Sequence, residues 1–309
     1  MKKLAVIIPH LNEEEEVIET IKSINHTSDP NLIEIITIDD CSSGRTDLGD
    51  FHNVRQIRNE TRMGVDFSRQ LGVESSQSKY CLVIDGHMRF KNDDWANKML
   101  KYIDDNPETM WCTVCLGLGY GTMDVNKHMG KYFAADLKMV TDAEKNRPCR
   151  NIIEPQWTGP KDPTEYDVAC ILGANYFFSK DWFMYIRGLK GLQMWGTSEP
   201  FLSLKTWMAG GKCKITKDIE IGHKFRDNAP YATGVTYLVY NKIFLCKTIL
   251  PDDLSNRLIG FMPKDGNYNE AMKKIDQNKT LIEEHRKYYQ SIFKSSIYDF
   301  CNKFGIHLP

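Results

Sequence analysis

The segment Tyr80-Cys81-Leu82-Val83-Ile84-Asp85-Gly86-His87 decides the fold. Its first part is apolar without interruption, the pattern of a strand buried on both faces rather than one alternating between core and water. It then runs directly into a carboxylate, a glycine and an imidazole. Ligands of open α/β sheets bind beyond the carboxyl ends of the strands, so Asp85 and His87 stand where such a sheet does its chemistry. The same arrangement repeats toward the N-terminus. Residues 4–9 form a continuous apolar strand, and residues 33–38 form another that ends in Asp39-Asp40-Cys41-Ser42-Ser43-Gly44, carboxylates followed by turn formers. Between them, Asn12 can cap a helix whose first turn, residues 13–16, is all glutamate and suits the positive end of the helix dipole. Val17, Ile18, Ile21 and Ile24 then recur on one face of that helix. A third unit passes from Val54-Arg55-Gln56-Ile57 through a turn at Gly64 into a helix carrying Ser68, Arg69, Leu71 and Val73. Strands and amphipathic helices in alternation specify an α/β protein, doubly wound around a mostly parallel central sheet.

Downstream, residues 94–104 read as a helix and 110–118 as a strand that leads into Gly117-Leu118-Gly119-Tyr120-Gly121. From 119 to 168 the pattern weakens, and Pro148, Pro155, Pro160 and Pro163 mark irregular segments. Residues 168–179 read as a pair of strands. In residues 199–209, Phe201, Leu204, Trp207 and Met208 repeat at helical spacing until Gly210-Gly211 ends the helix. Residues 214–221 form a strand, 224–236 a mobile loop, and the rest is helical. We expect one catalytic unit over 1–236, with a nucleotide-binding half (1–115) and a metal, sugar and acceptor half (116–236). Residues 237–309 are expected to be a helical extension packed on the same core.

Composition excludes several classes. Lys and Arg number 40 against 41 Asp and Glu, a net charge of -1, so no chain-wide field draws the protein to polyanions or membranes. The longest apolar runs are far shorter than the ~20 residues that span a bilayer, and the opening run is too short for a signal peptide before it meets His10 and the glutamates. The 9 cysteines are an odd number, scattered, and fit a reducing compartment, with the cytoplasm as the expected location. Cys112 and Cys115 form a C-x-x-C without a second pair, so buried free thiols suffice. The glycines at 117, 119 and 121 lack the spacing of a dinucleotide-binding loop.

Asp85, His87 and a distant His223 offer a carboxylate and two imidazoles to a divalent ion. The D-x-H triplet alone leaves open a simple turn-capping aspartate. What narrows the choice is order. Ile7-Ile8-Pro9-His10-Leu11-Asn12-Glu13, Ile38-Asp39-Asp40-Cys41-Ser42, Arg62-Met63-Gly64 with Ser68-Arg69, and Asp85-Gly86-His87 resemble in sequence the nucleotide-binding half of the GT-A glycosyltransferases. Further on, Gly173-Ala174-Asn175-Tyr176-Phe177, Trp195-Gly196, the segment from Leu202 to Gly211, and Gly222-His223-Lys224-Phe225-Arg226 look like the polypeptide N-acetylgalactosaminyltransferase branch. Together these stretches cover residues 4 to 226.

The resemblance implies a Rossmann-like GT-A fold and a UDP-sugar donor, most simply a UDP-N-acetylhexosamine carrying GalNAc or GlcNAc. Asp85, His87 and His223 match the family's metal ligands; imidazoles tilt the site toward manganese, since magnesium, the alternative, favours all-oxygen shells. Asp40 matches the carboxylate that accepts the uracil N–H. Pro9, Asn12, Glu13 and Gly86 adjoin the nucleotide, although helix capping accounts equally well for Asn12. Arg69 matches an arginine near the uracil and pyrophosphate, and Gly173 and Ala174 match two small residues beside the donor sugar. Trp195 matches the tryptophan of a W-G-G-E-N element that here reads Trp195-Gly196-Thr197-Ser198-Glu199. The family's glutamate position is thus Ser198 and its asparagine position Glu199. A carboxylate there can bind a sugar hydroxyl or act as a general base. Arg226 is placed to stabilise the departing diphosphate.

The resemblance favours transfer to a hydroxyl with retention of configuration. An inverting enzyme with Glu199 as base, acting on a glycan or a hydroxymethylated DNA base, is the alternative, and an inactive sugar-nucleotide-binding domain a second. A nucleotidyltransferase is disfavoured because Pro9-His10-Leu11-Asn12 is not a glycine-rich phosphate loop. Acceptors include a protein, a glycan or modified DNA, and the oligomeric state is open. With neither a lectin domain nor a membrane anchor expected, the chain looks like a bacterial or phage-type version.

Overall fold

The computed structural model describes residues 3–44, 47–119, 124–141, 151–159, 167–225 and 234–309. β1 (Leu4–His10), β2 (Ile33–Asp39), β3 (Val54–Arg58) and β4 (Tyr80–Ile84) alternate with α1 (Glu14–His26) and α2 (Val65–Ser75). β5 (Met88–Phe90), α3 (Trp95–Asp105), β6 (Thr109–Leu118), β7 (Gly130–Tyr132), β8 (Ala135–Val140), β9 (Ile152–Trp157) and β10 (Asn175–Ser179) follow. Then come α4 (Lys180–Tyr185), α5 (Ser198–Met208), β11 (Lys212–Lys224) and the helices α6 (Val235–Ile249), α7 (Asp252–Gly260), α8 (Gly266–Gln277), α9 (Lys279–Ile292) and α10 (Ile297–Phe304).

The main sheet runs β3-β2-β1-β4-β10-β6-β11-β5, with β7 on the side of β6. β1, β2, β3 and β4 are parallel; the uninterrupted apolar runs of β1, β2 and β4 are almost wholly buried, while β3, with its two arginines, is the half-exposed edge. α2 crosses β1 at Gly72, where an added Cβ would come within 2.3 Å of Ile7 Cγ2. Any larger residue there would force the helix off the sheet.

Two pairings assemble the functional edge. β10 enters antiparallel between β4 and β6, setting Asn175 opposite Ile84, and the Asp85 N–H donates to the Ala174 carbonyl at 3.3 Å. β11 lies antiparallel to β5 with His223 opposite Met88, and the Lys224 N–H donates to the His87 carbonyl at 3.2 Å. Residues distant in sequence therefore meet by backbone register.

Three expectations are corrected. Asn12 does not cap α1: Glu13 is the boundary residue, and Asn12 sits at φ +55°. Its Oδ1 instead accepts from the N–H and hydroxyl of Ser43, tying two turns together. Residues 168–179 are one strand, not two, because 167–174 make only isolated bridges to Lys214 and Ala135. The stretch 119–168, unreadable by pattern, contains the β8–β9 pair, whose burial along β9 drifts from core to surface instead of alternating. One hydrophobic core runs from Leu4 to Cys301, and α6 is buried along most of its length within it.

Candidate active site

A cavity of about 850 Å³ opens over the carboxyl ends of β1, β2 and β4. Pro9 lines it from the end of β1, Asp40, Asp85, Gly86 and His87 because each follows its strand, and β10 and β11 bring Gly173, Ala174 and His223 to the same place. Glu13, Arg69, Trp195 and Glu199 line it as well. Asn12 is not among the lining residues, and Arg226 lies outside the described residues.

Ligand atoms of Asp85, His87 and His223 lie within 4.8 Å of one another. The Nε2 atoms of the two histidines face each other at 3.2 Å, and His223 Nε2 is 3.4 Å from Asp85 Oδ2. Burial lowers the pKa of both imidazoles, which favours the neutral form that ligates metal. Burial alone would raise the Asp85 carboxyl, but the His223 hydrogen bond and the Arg69 charge outweigh it and hold the group well below the usual range. One neutral-imidazole pair and one carboxylate with converging atoms fit a divalent ion of the manganese type. Arg69 completes the arrangement from behind: its Nη2 donates to Asp85 Oδ1 at 2.9 Å, leaving Oδ2 turned toward the histidines. Arg69 is nearly inaccessible and also donates to the Gly173 carbonyl at 3.3 Å. It is an orienting group for the carboxylate as much as a cavity wall.

Asp40 is similarly engaged. Its Oδ1 accepts from Asn59 and the Met63 N–H, each at 2.8 Å, and its Oδ2 from the Gly64 N–H at 2.8 Å. A carboxylate has about four acceptor positions, so one remains for a ligand. Asp39, buried behind it, pairs with Arg58 and caps the Ser42 N–H. Glu199 occupies the space that Gly173 leaves: a Cβ on Gly173 would fall 1.8 Å from Glu199 Oε1. Small residues here make room for a side chain of this protein as well as for any sugar. Burial raises the Glu199 carboxyl, with Arg69 opposing that shift.

Sequence reasoning missed one whole wall. Ile153, Glu154, Pro155 and Trp157 from β9, with Leu238 and Lys242 from α6, close the cavity. Trp157 is packed by the edges of Tyr132 and Phe225 and lies 6.4 Å, ring to ring, from His223. Lys242 is buried against Glu154 and the Ile152 carbonyl. The proline-broken spacing of this stretch carries no period from which such a wall can be read. His10 was also passed over; it lines the cavity with both ring nitrogens buried and without a hydrogen-bond partner among the described residues. The Cys112 and Cys115 thiols are free and buried in β6, and burial raises both, which disfavours the reactive thiolate.

Residues 5–184 match the family described as Glycosyl transferase family 2. The chain belongs to that family. Among curated relatives, polypeptide N-acetylgalactosaminyltransferase 10 of Mus musculus is 28% identical over 239 residues, spanning 74% of this chain and 38% of the relative. Polypeptide N-acetylgalactosaminyltransferase 14 of Homo sapiens is 27% identical over 234 residues, 74% of this chain and 41% of the relative. The chain thus spans about two-fifths of the length of these relatives. Among solved structures, GalNAc-T7 with UDP, GalNAc and Mn2+ superposes with a TM-score of 0.71 at 17% identity, covering 98% of this chain and 57% of that one. S. aureus TarS 1-349 in complex with UDP-GlcNAc gives 0.55 at 11% identity, covering 99% of this chain and 93% of that one. Both likenesses establish the GT-A fold, and the enzyme class expected from the sequence, a glycosyltransferase, is that of the family. Among the described residues no helix is long and apolar enough to cross a membrane.

Proposed function

We propose that the chain transfers an N-acetylhexosamine from a UDP-sugar to an acceptor hydroxyl, with a divalent cation, manganese by preference, at Asp85, His87 and His223. The convergence of those three side chains within 4.8 Å at the strand ends carries the reading. The UDP, GalNAc and Mn2+ of the GalNAc-T7 structure and the UDP-GlcNAc of TarS support the donor class. A bound divalent ion would supply Lewis-acid stabilisation of the departing diphosphate. Arg69 keeps Asp85 aimed at that ion, Asp40 fixes the Met63-Gly64 turn and offers its remaining lone pair to the uracil N–H, and Glu199 meets the sugar beside Gly173 and Ala174. Lys224, paired with Glu16 and thereby with Arg89, anchors the strand end that holds His223.

The likeness to the N-acetylgalactosaminyltransferases favours transfer with retention. A second reading, inversion with Glu199 as general base, is favoured by one observation: burial raises the pKa of this carboxyl, moving it toward the range where a base works best near neutrality. On either reading residues 1–236 form the catalytic unit and 237–309 its extension, with α6 lending Leu238 and Lys242 to the cavity. The test is UDP release from a panel of UDP-sugars, with manganese or with chelator, with and without pooled protein, glycan and hydroxymethylated-DNA acceptors. Metal-dependent release stimulated by one pool is the expected result, and NMR of the product's anomeric centre separates the two stereochemical courses. Donor binding without release from any combination would leave a sugar-nucleotide-binding domain and overturn the enzymatic reading.

A further inference from the structure

Met194, Gly196 and Thr197 have φ of +55°, +103° and +76°. Glycine adopts such angles freely, but they strain a methionine and, more so, a β-branched threonine. A turn of this kind persists only where its surroundings over-determine it. Here two helices grip it with buried polar side chains. From α6, fully buried Asn241 accepts the Gln193 N–H at 2.8 Å and donates to the carbonyls of Gln193 at 2.8 Å, Gly196 at 2.9 Å and Trp195 at 3.3 Å. From α2, fully buried Asp66 accepts the hydroxyl of Ser198, and its N–H lies 3.4 Å from the Met194 carbonyl. Gly64 adds a backbone-to-backbone contact so close that a Cβ would stand 2.1 Å from Met194 Cα.

Neither Asp66 nor Asn241 lines the cavity, but what the turn carries does: Trp195, which is 38% exposed, then Ser198 and Glu199. Asp66 is also costly where it stands. Its Oδ2 is buried without a hydrogen-bond partner among the described residues, and burial pushes its carboxyl up to about 7. An apolar residue would fill the place without that penalty. Arg69 Nη1 lies 3.7 Å from Asp66 Oδ1, so the carboxyl both faces that guanidinium and secures the geometry of the turn.

We propose that Asp66 and Asn241 are positioning residues that hold the strained 194–197 turn from opposite sides, so that Trp195 and Glu199 meet the sugar end of the donor. The grip on the turn stands on its own geometry; its link to sugar transfer rests on the UDP-sugar reading above. The helical region beyond residue 236 is then part of how the site is built, through α6.

The test uses the full chain with Asp66→Ala, Asp66→Asn and Asn241→Leu. Amide hydrogen exchange is followed at 193–199 and, as a reference, in β4. In parallel, kcat and KM for hydrolysis of UDP-N-acetylglucosamine with manganese are measured alongside the Kd for UDP. For Asp66→Ala, exchange at 193–199 should quicken about tenfold while β4 keeps its protection. Its kcat should fall roughly tenfold to hundredfold, as expected for misplaced groups; because Asp66 also faces Arg69, the unchanged UDP Kd is expected of Asn241→Leu, whose side chain bonds only the turn. Asp66→Asn keeps an oxygen acceptor for Ser198 and should restore both readouts; Asn241→Leu should reproduce the loss. Unchanged exchange in Asp66→Ala, an equal loss of UDP binding and β4 protection, or an asparagine as damaging as alanine would each overturn the proposal. If the unaltered chain neither binds UDP nor consumes a UDP-sugar, the functional reading fails, and the exchange rates still decide whether the grip exists.

Discussion

Asp40, Asp85 and His87 on one side of the cavity and Glu154, Trp157 and Lys242 on the other come into place by different means. The first group follows the ends of buried parallel strands, whose neighbours are fixed by backbone register. The second comes from a short antiparallel strand and the middle of a helix, held by one buried ion pair and an aromatic cluster. The strand-end side is therefore suited to the invariant chemistry of a leaving diphosphate. The β9–α6 side lies away from those strand ends, and we propose it as the place of acceptor choice. If that division is correct, changes on the strand-end side should impair UDP release whether or not an acceptor is present, and changes on the far side only its stimulation by acceptor.

The largest effect is expected for Asp85→Ala. Removing the carboxylate takes away a proposed metal ligand and the partner of Arg69 at 2.9 Å, leaving that buried guanidinium with Asp66 at 3.7 Å and the Gly173 carbonyl at 3.3 Å. Metal-dependent UDP release should fall by roughly 10³-fold or more, and normal turnover at saturating manganese would sink the metal assignment. Next comes Gly173→Ala. Because the new methyl would land on the Glu199 carboxylate, the side chain must leave its slot, and turnover should drop about 10²-fold with UDP binding intact. Equal activity of the alanine variant would show that Glu199 is not needed where it sits.

The same contrast explains what could be read in advance. Residues 4–9, 33–38 and 80–84 are continuous apolar runs closed by carboxylates and turn formers, so both their strand character and the direction of their ends are local properties. His223 was legible only through family likeness, since nothing in its own neighbourhood reveals the β5–β11 pairing that sets it opposite Met88. Asn12 misled because an asparagine before glutamates satisfies the capping rule, whereas its side chain is claimed by Ser43 across the turn. β9 was invisible for a related reason: its burial is decided by packing against distant elements, so no period appears along it.

An intermediate effect should appear in acid, and it reaches both sides of the contrast. His10, His87 and His223 near the strand ends and His285 in α9 all have pKa values lowered by burial, His285 to about 3 from an ordinary 6.5. Each such group takes up a proton in the unfolded chain before it does so in the folded one, so its contribution is fully present above 6.5 and is lost as pH falls below it. The Tm of the metal-free chain should be flat at neutral pH and decline through weakly acidic pH. His285→Gln should make that decline shallower without altering manganese affinity. A Tm that stays level down to the range where carboxylates titrate would contradict the buried neutral state of these rings.

The smallest effect, and the sharpest probe of the far wall, is expected from Trp157→Phe. Its ring lies against Tyr132 and Phe225, and the residue lines the cavity and is 38% exposed. Phenylalanine keeps most of the apolar contact and loses part of the indole's area, which at ~25 cal/mol per Å² amounts to about 1 kcal/mol. That corresponds to a several-fold rise in KM for acceptor, while metal-dependent release of UDP in the absence of acceptor stays unchanged. Were acceptor-free release to fall in proportion, Trp157 would be acting through His223, whose ring is 6.4 Å away. The two sides of the cavity would then be one functional unit rather than two.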